Sequence, residues 1–166
     1  MIDYSQYPKT SVIPEASSMI ETFRAIGYSI EAAVADIIDN SISAEAKNIW
    51  LNFDWKGSET WVSIKDDGFG MNNEELIQAM KPGSKNPLDG RSNKDLGRFG
   101  LGLKTASFSQ CRKLTVLSKK EGFQQSFWTW DLDYVKETGK WELLQFLPDA
   151  KMESEIDNQK SGNHSA

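Results

Sequence analysis

Residues 60–71 read TWVSIKDDGFGM, an alternating apolar pattern that ends in two aspartates and two closely spaced glycines. The alternation over residues 60–66 predicts a β-strand. Gly68 and Gly70 would let the backbone turn after the strand and approach a flat ligand closely. An ionised Asp66 at the strand end can accept a hydrogen bond from an exocyclic amine, such as N6 of adenine. Taken alone, the segment also fits an ordinary turn, because Asp and Gly dominate turns.

A helix is predicted upstream of this strand, over residues 29–43. Apolar residues recur at the spacing of one helix face: Ile30, Ala33, Val34, Ile37 and Ile38. Polar residues recur at i, i+3, i+4 and i+7 on the opposite face: Asp36, Asp39, Asn40 and Ser43. Two carboxylates and an amide oxygen therefore converge there. The solvated face of an amphipathic helix has the same pattern, so this face alone does not establish a site.

Glycines also punctuate a stretch downstream, where residues 97–105 read GRFGLGLKT and run into a predicted helix. Free backbone N–H groups and the positive end of the helix dipole make such a junction suitable for phosphate. Lys104 and Thr105 would add further donors there. From Lys81 to Lys104 six Lys or Arg stand against two Asp, a local positive excess in an acidic chain. The alternative is a loop that serves only solubility.

The segment from about residue 81 to 100 is too rich in Gly, Pro and polar residues for regular structure. Loops of this length in a compact domain are usually functional lids or disordered segments. We interpret this one as a lid, because it leads directly into the helix that begins near Gly102.

Two common nucleotide-binding motifs are excluded in this region. A P-loop requires Gly followed directly by Lys, whereas Leu103 separates Gly102 from Lys104. A dinucleotide motif requires a third glycine where this chain has Thr105. Neither of the two corresponding folds is therefore supported.

The whole chain predicts one domain over residues 14–148, between an irregular arm at 1–13 and a polar tail at 149–166. Further helices are predicted after Pro14 and from Asn72, and further strands in the runs NIWLNFDW, KLTVLSK, FQQSFWTWDLD and KWELLQFL. These elements favour an α+β fold, a two-layer α/β sandwich with helices on one face of a mixed, mostly antiparallel sheet. The six tryptophans are interpreted first as packing residues.

Composition narrows the classes of function. The net charge of -5 argues against direct nucleic-acid binding by this domain, because such binding relies on positive charge. Cys111 is the only cysteine, so an internal disulfide and a cysteine-based zinc site are both excluded. No apolar run is long enough to span a bilayer, and the N-terminus lacks the pattern of a secretion signal. We therefore expect a cytoplasmic protein with no membrane partner.

The order of the three motifs resembles the Bergerat-fold ATPases. In this class, shared by DNA gyrase, MutL, microrchidia proteins, the large heat-shock chaperone and histidine kinases, an acidic-Asn helix precedes a strand ending in an Asp-Gly motif and a long loop closing on glycines. The likeness spans residues 32–109 and is greatest to the microrchidia-like branch. A later strand of such proteins supplies a Thr or Ser beside adenine. Only residues 161–163 hint at it here, so the resemblance implies a fold truncated at the C-terminus.

The resemblance implies a role for each matching position. Asn40 is the Mg²⁺ ligand and Asp36 the general base, although relatives usually have Glu at the position of Asp36. Asp66 reads the adenine amine, and the base pocket is shaped by Gly68, Gly70 and Met71. The hinge of the lid contains Gly97, Gly100 and Gly102. The residues near the triphosphate are Leu101, Leu103 and Lys104, with Thr105 as a further donor. ATP and Mg²⁺ are the implied cofactors.

The implied function is binding of Mg-ATP under a glycine-hinged lid, with hydrolysis that drives conformational change or dimerisation of a larger protein. Because Asp36 is one methylene shorter than the usual Glu, a non-hydrolysing module gated by ATP stays open as an alternative. The implied partners are C-terminal transducer or effector domains and a second copy bound in an ATP-dependent homodimer. A histidine-kinase role is disfavoured, because no phosphoacceptor histidine precedes the motifs and His164 follows them in the polar tail.

Overall fold

The computed structural model describes residues 2–25, 27–83 and 102–148. Within these ranges the fold is α+β, as predicted. The helices are α1 (Ala16–Arg24), α2 (Ile30–Ser43), α3 (Asn73–Met80), α4 (Gly102–Gln110) and α5 (Leu132–Thr138). The strands are β1 (Ile49–Asp54), β2 (Trp61–Asp66), β3 (Lys113–Ser118) and β4 (Ser126–Asp131). Residues 2–15 are exposed and contain one short 3₁₀ turn, at Tyr4–Gln6.

Strands β1 and β2 form an antiparallel hairpin that confirms the two predicted strands. Ile49 pairs with Asp66 at the open end, and Asp54 pairs with Trp61 next to the connection. A 3₁₀ turn at Gly57–Glu59 closes the hairpin. The hairpin carries exposed aromatic side chains, so the expectation that the tryptophans are packing residues was wrong for Trp50 and Trp55. The pairing of the two strands places Asp66 opposite Ile49, at the start of β1.

Strands β3 and β4 form a second, separate antiparallel pair, with Lys113 opposite Asp131. The strand predicted over the run KWELLQFL is reduced to a single bridge. Thr129 and Leu144 exchange both backbone hydrogen bonds, at 2.8 and 2.9 Å. The prediction of a full strand over this run was therefore wrong.

Helix α5 was not predicted, because the run FQQSFWTWDLD was interpreted as one strand. Asp131 ends that strand, and its side chain accepts hydrogen bonds from the backbone N–H groups of Asp133 and Tyr134. This is N-capping, which favours a helix over continued strand. Gly139 ends α5 in the left-handed conformation, with φ of 68°, as glycine commonly does after a helix.

The core lies between α1, α3, α4, α5 and β4. Its buried side chains are Ala16, Ile20, Phe23, Leu76, Met80, Phe108, Trp130, Leu132 and Val135. The ring of Trp130 meets Phe108 edge to face, and its indole N–H donates to the carbonyl oxygen of Met80 at 3.0 Å. Arg24 fixes α1 to the end of α4 by donating to the carbonyl oxygens of Phe108 and Cys111. The helices are thereby held against β4.

Local caps explain where two of the predicted helices begin. The Ser29 side chain accepts from the backbone N–H of Ala32 at the start of α2. Asn72 and Glu75 form a reciprocal capping box at the start of α3. Both starts confirm the sequence prediction. Across the described ranges, every helix is too short or too polar to cross a membrane.

Cys111 follows α4, and its thiol lies 3.1 Å from the carbonyl oxygen of Ser107. Burial raises the pKa of the Cys111 thiol to about 11. Since the thiolate is the reactive species, we expect iodoacetamide at pH 8 to alkylate the folded protein at least about tenfold more slowly than the urea-unfolded protein. Mass spectrometry of timed samples measures both rates. Equal rates would show that the thiol is not protected.

Candidate functional site

Asp66 ends β2 and is held by donors on two sides. Ser41 of α2 donates its hydroxyl to Oδ2 of Asp66 at 2.8 Å, and the backbone N–H of Gly68 donates to Oδ1 at 2.9 Å. Ser41 directly follows Asn40 in the chain and is buried. The end of β2 is therefore in direct contact with α2.

The neighbouring Asp67 has a different environment. Its carboxylate accepts from the backbone N–H groups of Lys47 and Asn48 and from the side-chain amide of Asn48. These bonds, with the backbone of Asn48 contributing most, lower the pKa of Asp67 below its ordinary value. Asp67 thus anchors the start of β1, whereas Asp66 is directed toward α2. The two adjacent aspartates therefore have different partners.

Gly68 lies where the turn passes against the end of α2. A Cβ atom at this position would lie 2.7 Å from both the Cβ and the carbonyl oxygen of Ala44. The same carbonyl accepts from the backbone N–H of Phe69 at 3.0 Å. Only glycine permits this close approach, which fixes the turn after β2 to α2.

Gly70 and Met71 join the turn to the end of β3. Gly70 has a φ of +64°, and a Cβ atom there would lie 2.0 Å from the carbonyl oxygen of Lys119. The backbone N–H of Met71 donates to the hydroxyl of Ser118 at 2.8 Å, and the side chain packs against the core. Glycine is therefore required at position 70 by both conformation and space.

Asp36 and Asn40 lie one turn apart on α2. Asn40 donates from its side-chain nitrogen to the backbone carbonyl of Asp36 at 2.9 Å, a contact that does not use the amide oxygen. The Asp36 carboxylate accepts from the hydroxyl of Tyr28 at 3.0 Å. Burial, followed by the hydrogen bond and charge of Asp36, raises the pKa of Tyr28 above its ordinary value.

Helix α4 begins at Gly102 and packs against α2, which confirms that the glycine-rich stretch leads into a helix. Leu103 is half-buried, and Thr105 is buried and shares a hydrogen bond with the Tyr28 side chain. The ammonium of Lys104 is also buried and donates to the carbonyl oxygen of Ala79 in the last turn of α3, at 2.8 Å.

Part of the predicted site falls outside the residues that the structure describes. These positions are Gly97, Gly100 and Leu101, together with the lid from residue 84 onward, the tail at 149–166 and His164. The glycine hinge and the lid therefore stay predictions from the sequence.

The residues present fit a magnesium ion that also binds phosphate. No cluster of three or more His, Cys, Asp or Glu able to hold a metal occurs within residues 2–25, 27–83 and 102–148. Mg²⁺ usually takes one or two protein oxygens and completes its shell with phosphate oxygens and water. The exposed side chain of Asn40 offers one such oxygen. This donor set suits a metal that arrives with a nucleotide better than a resident metal.

A cavity of about 380 Å³ lies elsewhere in the molecule. It is lined by Ile77, Lys81, Pro82, Trp128, Trp130, Trp141 and Leu143. None of the predicted nucleotide-binding residues contributes to it. The candidate site consequently rests on the contacts among α2, the turn after β2 and α4, and not on this cavity.

Three residues of the candidate site were missed by the sequence reasoning: Ser41, Tyr28 and Ser118. Ser41 had no signal, because it lies on the apolar side of α2, whereas Asn40 lies on the polar side. Tyr28 and Ser118 had none, because their contacts with Asp36 and Met71 join positions 8 and 47 residues apart that share no motif.

Comparison with known proteins shows which family the chain resembles. Residues 28–163 match the model of the family described as histidine kinase-, DNA gyrase B-, and HSP90-like ATPase. The chain is 32% identical over 91 residues to the ATPase morc-1 of Caenorhabditis elegans, which is 55% of this chain and 10% of that protein. It is 37% identical over 86 residues to the chaperone protein HtpG of Rickettsia typhi, which is 46% of this chain and 14% of that protein.

A third relative aligns over more of the chain. The DNA mismatch repair protein MutL of Dictyoglomus turgidum is 31% identical over 141 residues, which is 81% of this chain and 24% of that protein. The chain thus spans no more than about a quarter of the length of any of these three relatives. The family match covers both α2 and the turn after β2, where the contacts described above lie. The chain therefore belongs to the family of histidine kinase-, DNA gyrase B-, and HSP90-like ATPases, as the order of its three motifs predicted.

Proposed function

We propose that the protein binds Mg-ATP between α2, the turn after β2 and the start of α4, and hydrolyses it. The observation that carries this proposal is the hydrogen bond from Ser41 to Asp66. This bond holds Asp66, which we propose binds adenine, beside α2. The same helix carries Asn40, proposed to bind Mg²⁺, and Asp36, proposed to activate water. Membership of an ATPase family supports the same conclusion.

Adenine recognition is assigned to Asp66 and the turn that follows it. A carboxylate has about four acceptor positions. Ser41 and Gly68 use one on each oxygen, so the same group can still accept from the adenine amine. Gly68 and Gly70 keep the turn close to its neighbours, and Met71 supplies an apolar wall for the base. A carboxylate already fixed on two sides recognises an amine at little further cost in entropy.

Phosphate binding is assigned to the first turn of α4. The start of α4 is the positive end of its helix dipole, and helix starts commonly bind anions such as phosphate. Lys104 is proposed to contribute through its backbone, since its ammonium is engaged at Ala79. Asn40 would bind Mg²⁺ through its amide oxygen, and the ion would neutralise charge on the phosphates.

Hydrolysis is assigned to Asp36 as the group that orients and deprotonates water. We expect Asp36→Asn to leave the dissociation constant for ATP within about threefold and to lower phosphate release at least about 100-fold, a typical loss on removing a general base. Isothermal titration calorimetry and a malachite-green assay on the purified protein measure the two quantities.

Asp39→Asn is the matched control, because Asp39 is an exposed carboxylate on the same helix, three residues further on. It is expected to leave both binding and phosphate release unchanged. Turnover by Asp36→Asn equal to that of the unsubstituted protein would remove Asp36 from the mechanism.

A second candidate function is an ATP-gated interaction module that dimerises on binding nucleotide and does not hydrolyse it. The shorter side chain of Asp36, relative to the usual Glu, favours it. Such a module would bind ATP and release no phosphate above the level of Asp36→Asn. Sedimentation with ATP and with a non-hydrolysable analogue would then show the same shift to a dimer, whereas hydrolysis would make the ATP-induced shift transient.

A further inference from the structure

We propose that Tyr28 is a positioning residue that holds the carboxylate of Asp36 in the orientation needed for hydrolysis. The inference rests on the proposed function, because it assigns to Asp36 the part of the base. Nothing in the three motifs includes Tyr28, which lies before α2 and outside the polar helix face. Its role follows from where the structure places its hydroxyl group.

The Tyr28 hydroxyl lies between two elements of the candidate site. It donates to Oδ2 of Asp36 at 3.0 Å, and it shares a hydrogen bond with the side chain of Thr105 in the first turns of α4. One phenol therefore connects the carboxylate proposed to act on water with the helix proposed to bind phosphate.

The backbone around Tyr28 is itself fixed. Gly27 has a φ of +79°, a left-handed conformation that glycine adopts readily, and it turns the chain between α1 and α2. The side-chain amide of Gln110 donates to the carbonyl oxygen of Tyr28 at 2.7 Å, which attaches this turn to the end of α4. Tyr28 is consequently held from its backbone by one end of α4 and from its hydroxyl by the other.

The direction of the hydrogen bond follows from protonation. Because burial and the neighbouring Asp36 raise the pKa of Tyr28, the phenol keeps its proton at neutral pH and donates it. The donor engages only Oδ2, so the other carboxylate oxygen can accept from a water molecule. Because Asp36 is already held in one orientation, less orientational freedom is lost in the transition state. The hydrogen bond from Tyr28 is therefore expected to raise kcat and to leave the affinity for ATP nearly unchanged.

A double-mutant cycle tests the inference with Tyr28→Phe, Asp36→Asn and the double variant. We expect Tyr28→Phe to lower kcat about tenfold and to leave KM for ATP within about twofold, because it removes the hydroxyl and keeps the ring. In the Asp36→Asn background the same change is expected to have no effect on phosphate release, since its target is then absent.

Tyr134→Phe is the matched control, because the Tyr134 hydroxyl also donates to a carboxylate, that of Glu142, away from the site. It is expected to leave kcat and KM unchanged. An unchanged kcat in Tyr28→Phe would overturn the inference, and so would an equal fractional loss in both backgrounds. Full turnover by Asp36→Asn would instead contradict the proposed function, so the two failures are distinguishable.

Discussion

Replacement of Asp66 by Asn is expected to weaken ATP binding about 100-fold. The proposed contact needs a free acceptor position for the adenine amine while Ser41 and Gly68 each occupy one position. The Asn side chain has one carbonyl oxygen in place of two carboxylate oxygens. Its NH₂ group would face either the Ser41 hydroxyl or the Gly68 N–H and could not accept from the Gly68 N–H. A lost hydrogen bond to a charged group, together with an unsatisfied donor, costs about 3 kcal/mol, which is about 100-fold in dissociation constant. Isothermal titration calorimetry with Mg-ATP measures the loss.

Asp67→Asn is the control for this experiment. Its carboxylate is the neighbour of Asp66 in the chain but is held by Lys47 and Asn48 at the start of β1. The substitution is expected to lower the melting temperature and to leave the affinity for ATP unchanged. Unaltered binding by Asp66→Asn, or equal losses in both variants, would remove adenine recognition by Asp66 from the proposal.

The second large effect is expected from Gly70→Ala, which should destabilise the fold by at least about 3 kcal/mol. Part of the cost is the positive φ of +64°, and the larger part is the contact of a new Cβ with the carbonyl oxygen of Lys119 at 2.0 Å. Backbone atoms on both sides must then move apart. Because domains of this size are stable by only about 5–15 kcal/mol, the loss is readily measured by urea unfolding.

Gly57→Ala separates the two causes. Gly57 has nearly the same φ, +60°, but a Cβ atom there meets no other atom within 4 Å. We expect it to cost only about 1 kcal/mol, the penalty for the left-handed conformation alone. The difference between the two losses in free energy of unfolding measures the cost of the close contact between position 70 and Lys119, directly after β3. Similar losses for both would show that this close approach does not exist in solution.

The sequence predicted the elements whose signals are local. The helix period predicted α2, the segment from Asn72 predicted α3, and alternation predicted both strands of the first hairpin. Helix α5 was missed because the cap at Asp131 interrupts a run that still alternates like a strand. The strand predicted around Leu144 was too long, since its pairing depends on where Thr129 lies and not on its own residues.

The candidate site was predictable to the same degree. Its motifs placed Asp36, Asn40 and Asp66 on elements that the structure brings together. The resemblance assigned the adenine contact to Asp66 and not to Asp67. The contacts that separate the two carboxylates join residues 25 and 20 positions apart, and local patterns do not reveal them. The contact between Tyr28 and Asp36 was inaccessible for the same reason. Local patterns reveal which groups are present, whereas tertiary contacts decide which atoms they touch.

A structure of the protein with Mg²⁺ and a non-hydrolysable ATP analogue tests the proposed site most directly. We expect the adenine amine within hydrogen-bond distance of Asp66, the metal on the amide oxygen of Asn40, and the phosphates at the N–H groups that begin α4. A nucleotide bound elsewhere, for example in the tryptophan-lined cavity beside Ile77, with these three groups left unoccupied, would contradict the proposal.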